Sequence, residues 1–247
     1  MAEPGRRSPP SRGMADHALL ALAMSLAFAA VHVLSPRLVF LDERPRSVWL
    51  SVAGGVSTAY VFAHLLPELA EKQRAVAERL SIWRAETEVF TAALLGLAIF
   101  YGLERLARRS RGSAIGYGVH LGAFALYNLL IAWLLRERAM TESVGWMALY
   151  GVAMGLHFLV NDRALHAHHP ARHVRFGRWL LAAAPPAGWA FGFLGRPPEL
   201  WIGLALALLG GGVILNVLKE ELPEERESRF WAFALGAGGY AALLNLL

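Results

Sequence analysis

Cysteine is absent from this 247-residue chain. That excludes disulfides, thiolate metal sites and cysteine nucleophiles, and leaves imidazole, carboxylate, amide and hydroxyl groups to carry any chemistry. Charge is scarce as well: Asp, Glu, Lys and Arg make up 17% of the residues, against about 25% in a soluble domain. Lysine is nearly missing, two residues against 22 arginines, a bias that points to a GC-rich, bacterial genome. The basic excess, 24 against 19, is small. The charges fall between apolar stretches instead of gathering on one basic face, which sets nucleic-acid binding aside. Period-two alternation is missing too, so strands are not expected.

What the chain has in quantity is apolar sequence: 56% of residues are hydrophobic and the mean hydropathy is +0.41. Eight apolar segments can be marked off, at 18–34, 48–70, 88–107, 114–135, 144–162, 179–194, 199–218 and 230–247. A bilayer core of about 30 Å takes about 20 residues of helix, and the second to fifth and the seventh segments meet that. The sixth is short and carries Pro185-Pro186, so it is predicted to kink or partly unwind. The chain is thus read as an all-α membrane protein: a disordered leader over 1–16, with Met14 as an alternative start, then a single eight-helix transmembrane domain over 17–247. The first segment, preceded by Arg6 and Arg7, also admits a signal-peptide reading. It is longer than a usual signal core and no clean cleavage site follows. Arginine and lysine are in modest excess in the loops after helices one, three, five and seven, so both termini are expected outside the cytoplasm.

An internal repeat is also present. GGVSTAYVFAHLLPELAE (54–71) and GGGVILNVLKEELPEERE (210–227) share GGV and LPE, and FTAALLG (90–96) and FWAFALG (230–236) each place Phe six residues before Gly. Five helices lie between the copies, an odd number, so they are expected to cross the membrane in opposite senses. Inverted repeats of this kind place substrate near the bilayer midplane in secondary transporters.

Candidate functional residues are few. The stretch HFLVNDRALHAHHP (157–170) ends an apolar run. His157 and Asn161 share a helix face, while Asp162 lies about 140° round from His157. An ionisable side chain within a membrane helix is a functional-site hypothesis, with a satisfied interhelical hydrogen bond as its rival; Asp162 and Arg163 also fit a helix end meeting water. On the fourth segment Tyr127 and Asn128 are mid-helix, and His120 shares their face two turns earlier. HLLPE puts His64 and Glu68 four residues apart as an entry or exit pair. KEELPEERE offers Glu220 and Glu221 on the opposite side, as an ion-collecting cluster or a solvated loop. His166, His168, His169 and His173 form a histidine-rich loop able to bind metal loosely.

AGGVSTAYVFAHLLPELAE in helix two, LLGLAIFYGLERL in helix three and GGGVILNVLKEELPE in helix seven, in this order and spacing over about residues 18–247, resemble the ZIP (Zrt/Irt-like) family of metal transporters. The resemblance implies a 3+2+3 arrangement with inverted repeats, termini outside a bacterial inner membrane, and alternating-access movement of zinc or another divalent cation towards the cytoplasm. The cation is substrate and no permanently bound cofactor is implied. The lipid bilayer and the metal ion are the implied partners, with a homodimer as a further one. The family's metal site lies on helices four and five, and here the chain departs from it. HNxxDG is replaced by YNLLIA (127–132), with Tyr127 and Ile131 where His and Asp belong; HExPHE is replaced by HFLVND (157–162), with Phe158 in place of an acid. Zinc takes three or four His, Cys or carboxylate ligands, so two or more expected carboxylates are lost. Two other readings follow: a ZIP-derived binding or regulatory membrane protein that no longer transports, and an intramembrane metal hydrolase built on His64, His120, His157 and Asp162. The hydrolase lacks an HExxH or serine–base motif, and an enzyme is not expected.

Overall fold

The computed structural model describes residues 11–42, 47–80, 87–109, 114–195, 198–221 and 229–246. Among these residues the chain is helical throughout, with no strand. We number the long helices in chain order. α1 is Ser11–Leu34; α2 runs over 48–80, as Val48–Tyr60, a π-helical turn at Val61–Leu65, and Leu66–Leu80. α3 is Glu88–Arg109, α4 is Ala114–Thr141 and α5 is Val144–His168. α6 enters through Pro170–Arg172 and a π-helical turn at His173–Gly177, then runs over Arg178–Phe191. α7 is Glu199–Asn216 followed by a π-helical turn at Val217–Glu221, and α8 is Phe230–Asn245. Six helices, α1 to α5 and α7, are long and apolar enough to cross a bilayer. Large apolar side chains such as Leu94, Leu126, Val152, Trp201 and Leu235 stay exposed on their outer faces, where lipid would cover them.

Boundaries differ from expectation in three places. α1 begins at Ser11, inside the expected leader. α2 continues ten residues past its apolar segment, because LPELAEKQRAVAERL is amphipathic and helix-forming. α6 stays helical through Pro185-Pro186 and does not unwind there; the irregular turn lies upstream at His173–Gly177. A proline removes one helix hydrogen bond and crowds the carbonyl four residues back. Close packing on α4 holds this helix together regardless, with Gly188 set against the Leu129 carbonyl.

The other two π-helical turns have a sequence cause. Val61–Leu65 and Val217–Glu221 each stand immediately before a Leu-Pro-Glu. Widening one turn gives the proline ring room against the preceding carbonyls, and in α2 the Leu66 amide bonds back to the Val61 carbonyl.

Glycines set the closest helix approaches. The most extensive pairings are α2 with α8 and α3 with α7. A β-carbon on Gly55 would fall within 3.0 Å of the Phe233 carbonyl, and one on Gly236 within 3.0 Å of the Val52 carbonyl. Across the other pairing, Gly96 meets the Leu208 carbonyl and Gly211 the Ala93 carbonyl in the same way. These four are the glycines of the repeated GGV and Phe-to-Gly motifs, so each motif of one copy packs on the complementary helix of the other.

Candidate functional site

The inward face of α5 carries Met147, Tyr150, Met154, His157, Phe158 and Asn161, all buried. His157 is fully buried, and two donors converge on its Nε2: the Tyr127 hydroxyl from α4 at 3.1 Å and the Asn161 amide, one turn on, at 3.0 Å. An amide nitrogen only donates, so Nε2 is the unprotonated, accepting atom. The structure thus brings together His157, Asn161 and Tyr127 as the sequence pairs them.

Asn128 and Asp162 join a residue that sequence reasoning missed. The Asn128 amide lies 2.8 Å from Nε2 of His32 on α1, and the other ring nitrogen of His32 is 3.1 Å from Asp162 Oδ2. Both partners of this pair are buried, 2% and 1% exposed. The contact is electrostatic and lacks hydrogen-bond geometry. Phe158 separates it from the His157 cluster, its ring 5.3 Å from that of His32 and edge-on to Phe28 at 5.1 Å. His32 could have been found as an ionisable residue inside the apolar run AMSLAFAAVHVL.

Asp162 and Arg163 are not a helix end, as the sequence reading had allowed. α5 continues to His168, Asp162 faces α1, and the Arg163 guanidinium donates to the Ser35 carbonyl at 3.0 Å. Capturing that carbonyl, just past the end of α1, anchors α1 to α5.

The remaining candidates lie elsewhere. His120 pairs with α3: its Nε2 is 2.5 Å from Glu104, whose other oxygen is 2.7 Å from Lys219 in the α7 turn. His64 and Glu68 form the expected pair at 3.5 Å. Glu68 is also held at 2.8 Å by Arg138 of α4, whose guanidinium lies over Tyr150 and Trp146 at 4.9 and 5.3 Å. A cavity of about 270 Å³ opens beside them, lined by Lys72, Glu137, Thr141 and Glu142. Glu68→Ala is expected to lower the melting temperature markedly, because removing one partner of a buried pair costs about 3–5 kcal/mol. The pair Glu68→Leu with Arg138→Met should recover most of that loss in the same thermal unfolding measurement.

At the far end of α5 the His166 and His173 rings lie 5.6 Å apart, and His169 packs edge-on to Tyr117. Burial pushes the His173 imidazole below its ordinary range, so it is neutral at pH 7. Glu220 and Glu221 lie in the π-helical turn of α7; their side chains, and that of His168, are outside the described residues. Among the described residues no three His, Asp or Glu side chains are placed to hold a metal ion together.

Comparison with protein-family models, curated proteins and solved structures returns no match to this chain. Fold and site together define a multi-pass helical membrane protein with buried ionisable groups between its helices.

Proposed function

We propose that this chain is a divergent ZIP-like transporter of the bacterial inner membrane, not an enzyme, and that it moves zinc or a related divalent cation towards the cytoplasm by alternating access. The observation that carries the reading is the buried His32–Asp162 pair, tied to α4 through Asn128. An ionisable pair within membrane helices is retained at a cost in stability, and marks ion pathways. His157 lies on the same helix as Asp162, beyond the Phe158 ring, and a movement that brought it to the pair would make two imidazoles and a carboxylate available, donors that zinc accepts. His32 thereby makes good part of the ligand loss on helices four and five.

The glycine pairings support an inverted 3+2+3 arrangement of eight spans. Gly55 with Gly236 and Gly211 with Gly96 are equivalent contacts if helices two–three and seven–eight are copies. A π-helical turn before each Leu-Pro-Glu fits the same relation. In this reading α6 and α8, too short by the apolar-length criterion that α1 to α5 and α7 meet, also cross the bilayer.

One observation favours a second reading, a ZIP-derived membrane protein that binds or regulates without transporting. Tyr127 and Asn161 already occupy His157 Nε2, and among the described residues no three ligating side chains are assembled.

Zinc uptake into liposomes containing the purified chain separates the two. Transport predicts uptake above empty liposomes that is abolished in a His157→Ala, Asn128→Ala double variant. Uptake unchanged in that variant would keep the transporter and move its site; no uptake of zinc, manganese or cobalt by folded protein would leave the second reading.

A further inference from the structure

We propose a second, internal cation site where α5 turns into α6, in which His166 and His173 ligate a borderline divalent metal ion such as zinc or cobalt. This inference is independent of the transport reading. His173 is fully buried, and neither of its ring nitrogens has a hydrogen-bond partner. A neutral imidazole carries one donor and one acceptor, and each left unmet in the interior costs about 1–3 kcal/mol. The surrounding groups share the deficit: Nδ1 of His166 and the Tyr117 hydroxyl are also buried without a hydrogen-bond partner. Orphaned polar atoms thus converge from three elements: the start of α4, the end of α5 and the π-helical turn entering α6.

The geometry suits a metal ion better than a hydrogen bond between the rings. Their centroids are 5.6 Å apart and their planes inclined at 65°. Two imidazoles on one tetrahedral ion, with metal–nitrogen bonds of about 2.0–2.1 Å, hold their centroids roughly 5 Å apart, so binding requires only a small closure. Gly177 keeps the space open. A β-carbon there would strike the Tyr117 hydroxyl and lie 3.0 Å from His173 Nδ1; without one, phenol and imidazole face each other across the glycine. The Tyr117 hydroxyl, beside His173 Nδ1 across Gly177, can donate to or accept from water on the ion. Paired imidazoles select zinc, cobalt, nickel or copper over magnesium or calcium, which favour all-oxygen sites.

Calorimetric titration of the full chain in detergent with zinc, in excess magnesium, tests this. Wild type is expected to bind, and His166→Gln and His173→Gln each to bind one equivalent fewer. A His168→Gln, His169→Gln variant should retain that equivalent. Three results would overturn the proposal: no zinc bound by wild type, unchanged binding in both single Gln variants, or loss only in the His168, His169 variant. The last would assign binding to loose imidazoles of the loop. Should His173→Gln fail to fold, the half-buried His166→Gln decides, together with X-ray absorption of zinc-loaded wild type. Two imidazole ligands are expected there; fewer than two would also overturn it.

Discussion

Gly211→Val is expected to leave little folded protein after extraction into detergent, and Gly55→Val the same. A β-carbon on Gly211 would sit 2.6 Å from the Leu97 amide nitrogen and nearer still to the Ala93 carbonyl; one on Gly55 would sit 2.7 Å from the Ala237 amide nitrogen and nearer to the Phe233 carbonyl. Both obstacles are backbone, so no rotamer change relieves them and the helices must move apart. Overpacking a core against movable side chains costs about 1–3 kcal/mol, and parting two helices along a shared seam costs more. Where lipid is as apolar as leucine, small residues at the crossing are what let backbones approach and gain dispersion contact. Gly102, Gly203 and Gly239 have nothing within 4 Å of an added β-carbon, and alanine at those positions should leave the melting temperature within a few degrees of wild type. Combinations give a sharper check. Gly55→Ala with Gly236→Ala disrupts one seam twice and should be less than additive, whereas Gly55→Ala with Gly211→Ala touches two seams and should be additive. Additivity within the α2–α8 seam would sink the account of a shared crossing.

The same glycines show how far the sequence could be read. Their motifs were visible as repeats, because a close crossing requires glycine at fixed spacing on each helix, and that is a local pattern. The shared face of His157 and Asn161 was legible for the same reason, since helical period alone determines it, and of the eight apolar segments six coincide with helices long and apolar enough to cross a bilayer. His32 could have stood out only as an ionisable residue in an apolar run; its partners Asn128 and Asp162 could not, being 96 and 130 positions away with no local pattern to signal which helices meet. Spacing puts His120 on the face of Tyr127, but helix periodicity does not show that Glu104 and Lys219 come within its reach from α3 and α7. Asp162 looked like a helix end because charge usually marks the membrane exit. The helix instead runs on to His168, with the charge turned towards His32. Pro185-Pro186 is the reverse case: two prolines locally argue for an interruption, yet the helix continues through both while packed on α4.

His32→Ala and Asp162→Asn are expected to have opposite effects on stability and the same effect on transport. His32 is the polar neighbour the structure gives Asp162, while Arg163 next to it donates to the Ser35 carbonyl. Deleting the imidazole leaves a carboxylate buried without that partner, a loss of about 3–5 kcal/mol for a broken buried pair. Asp162→Asn instead removes the charge and keeps both the shape and an oxygen facing the ring. Its stability should therefore stay near wild type or rise, because no buried carboxylate charge remains to be compensated. Combining the two substitutions should restore most of what His32→Ala alone loses, because no uncompensated charge remains. Thermal unfolding of the three variants in one detergent measures this, and equal losses for the two single variants would show that the pair is held by packing and not by charge. Transport separates from stability in the same set. A divalent cation needs the carboxylate itself, so Asp162→Asn, though folded, should take up zinc no faster than empty liposomes. Wild-type uptake by that variant would remove Asp162 from the path and leave the His32 contact as a structural tie between α1 and α5.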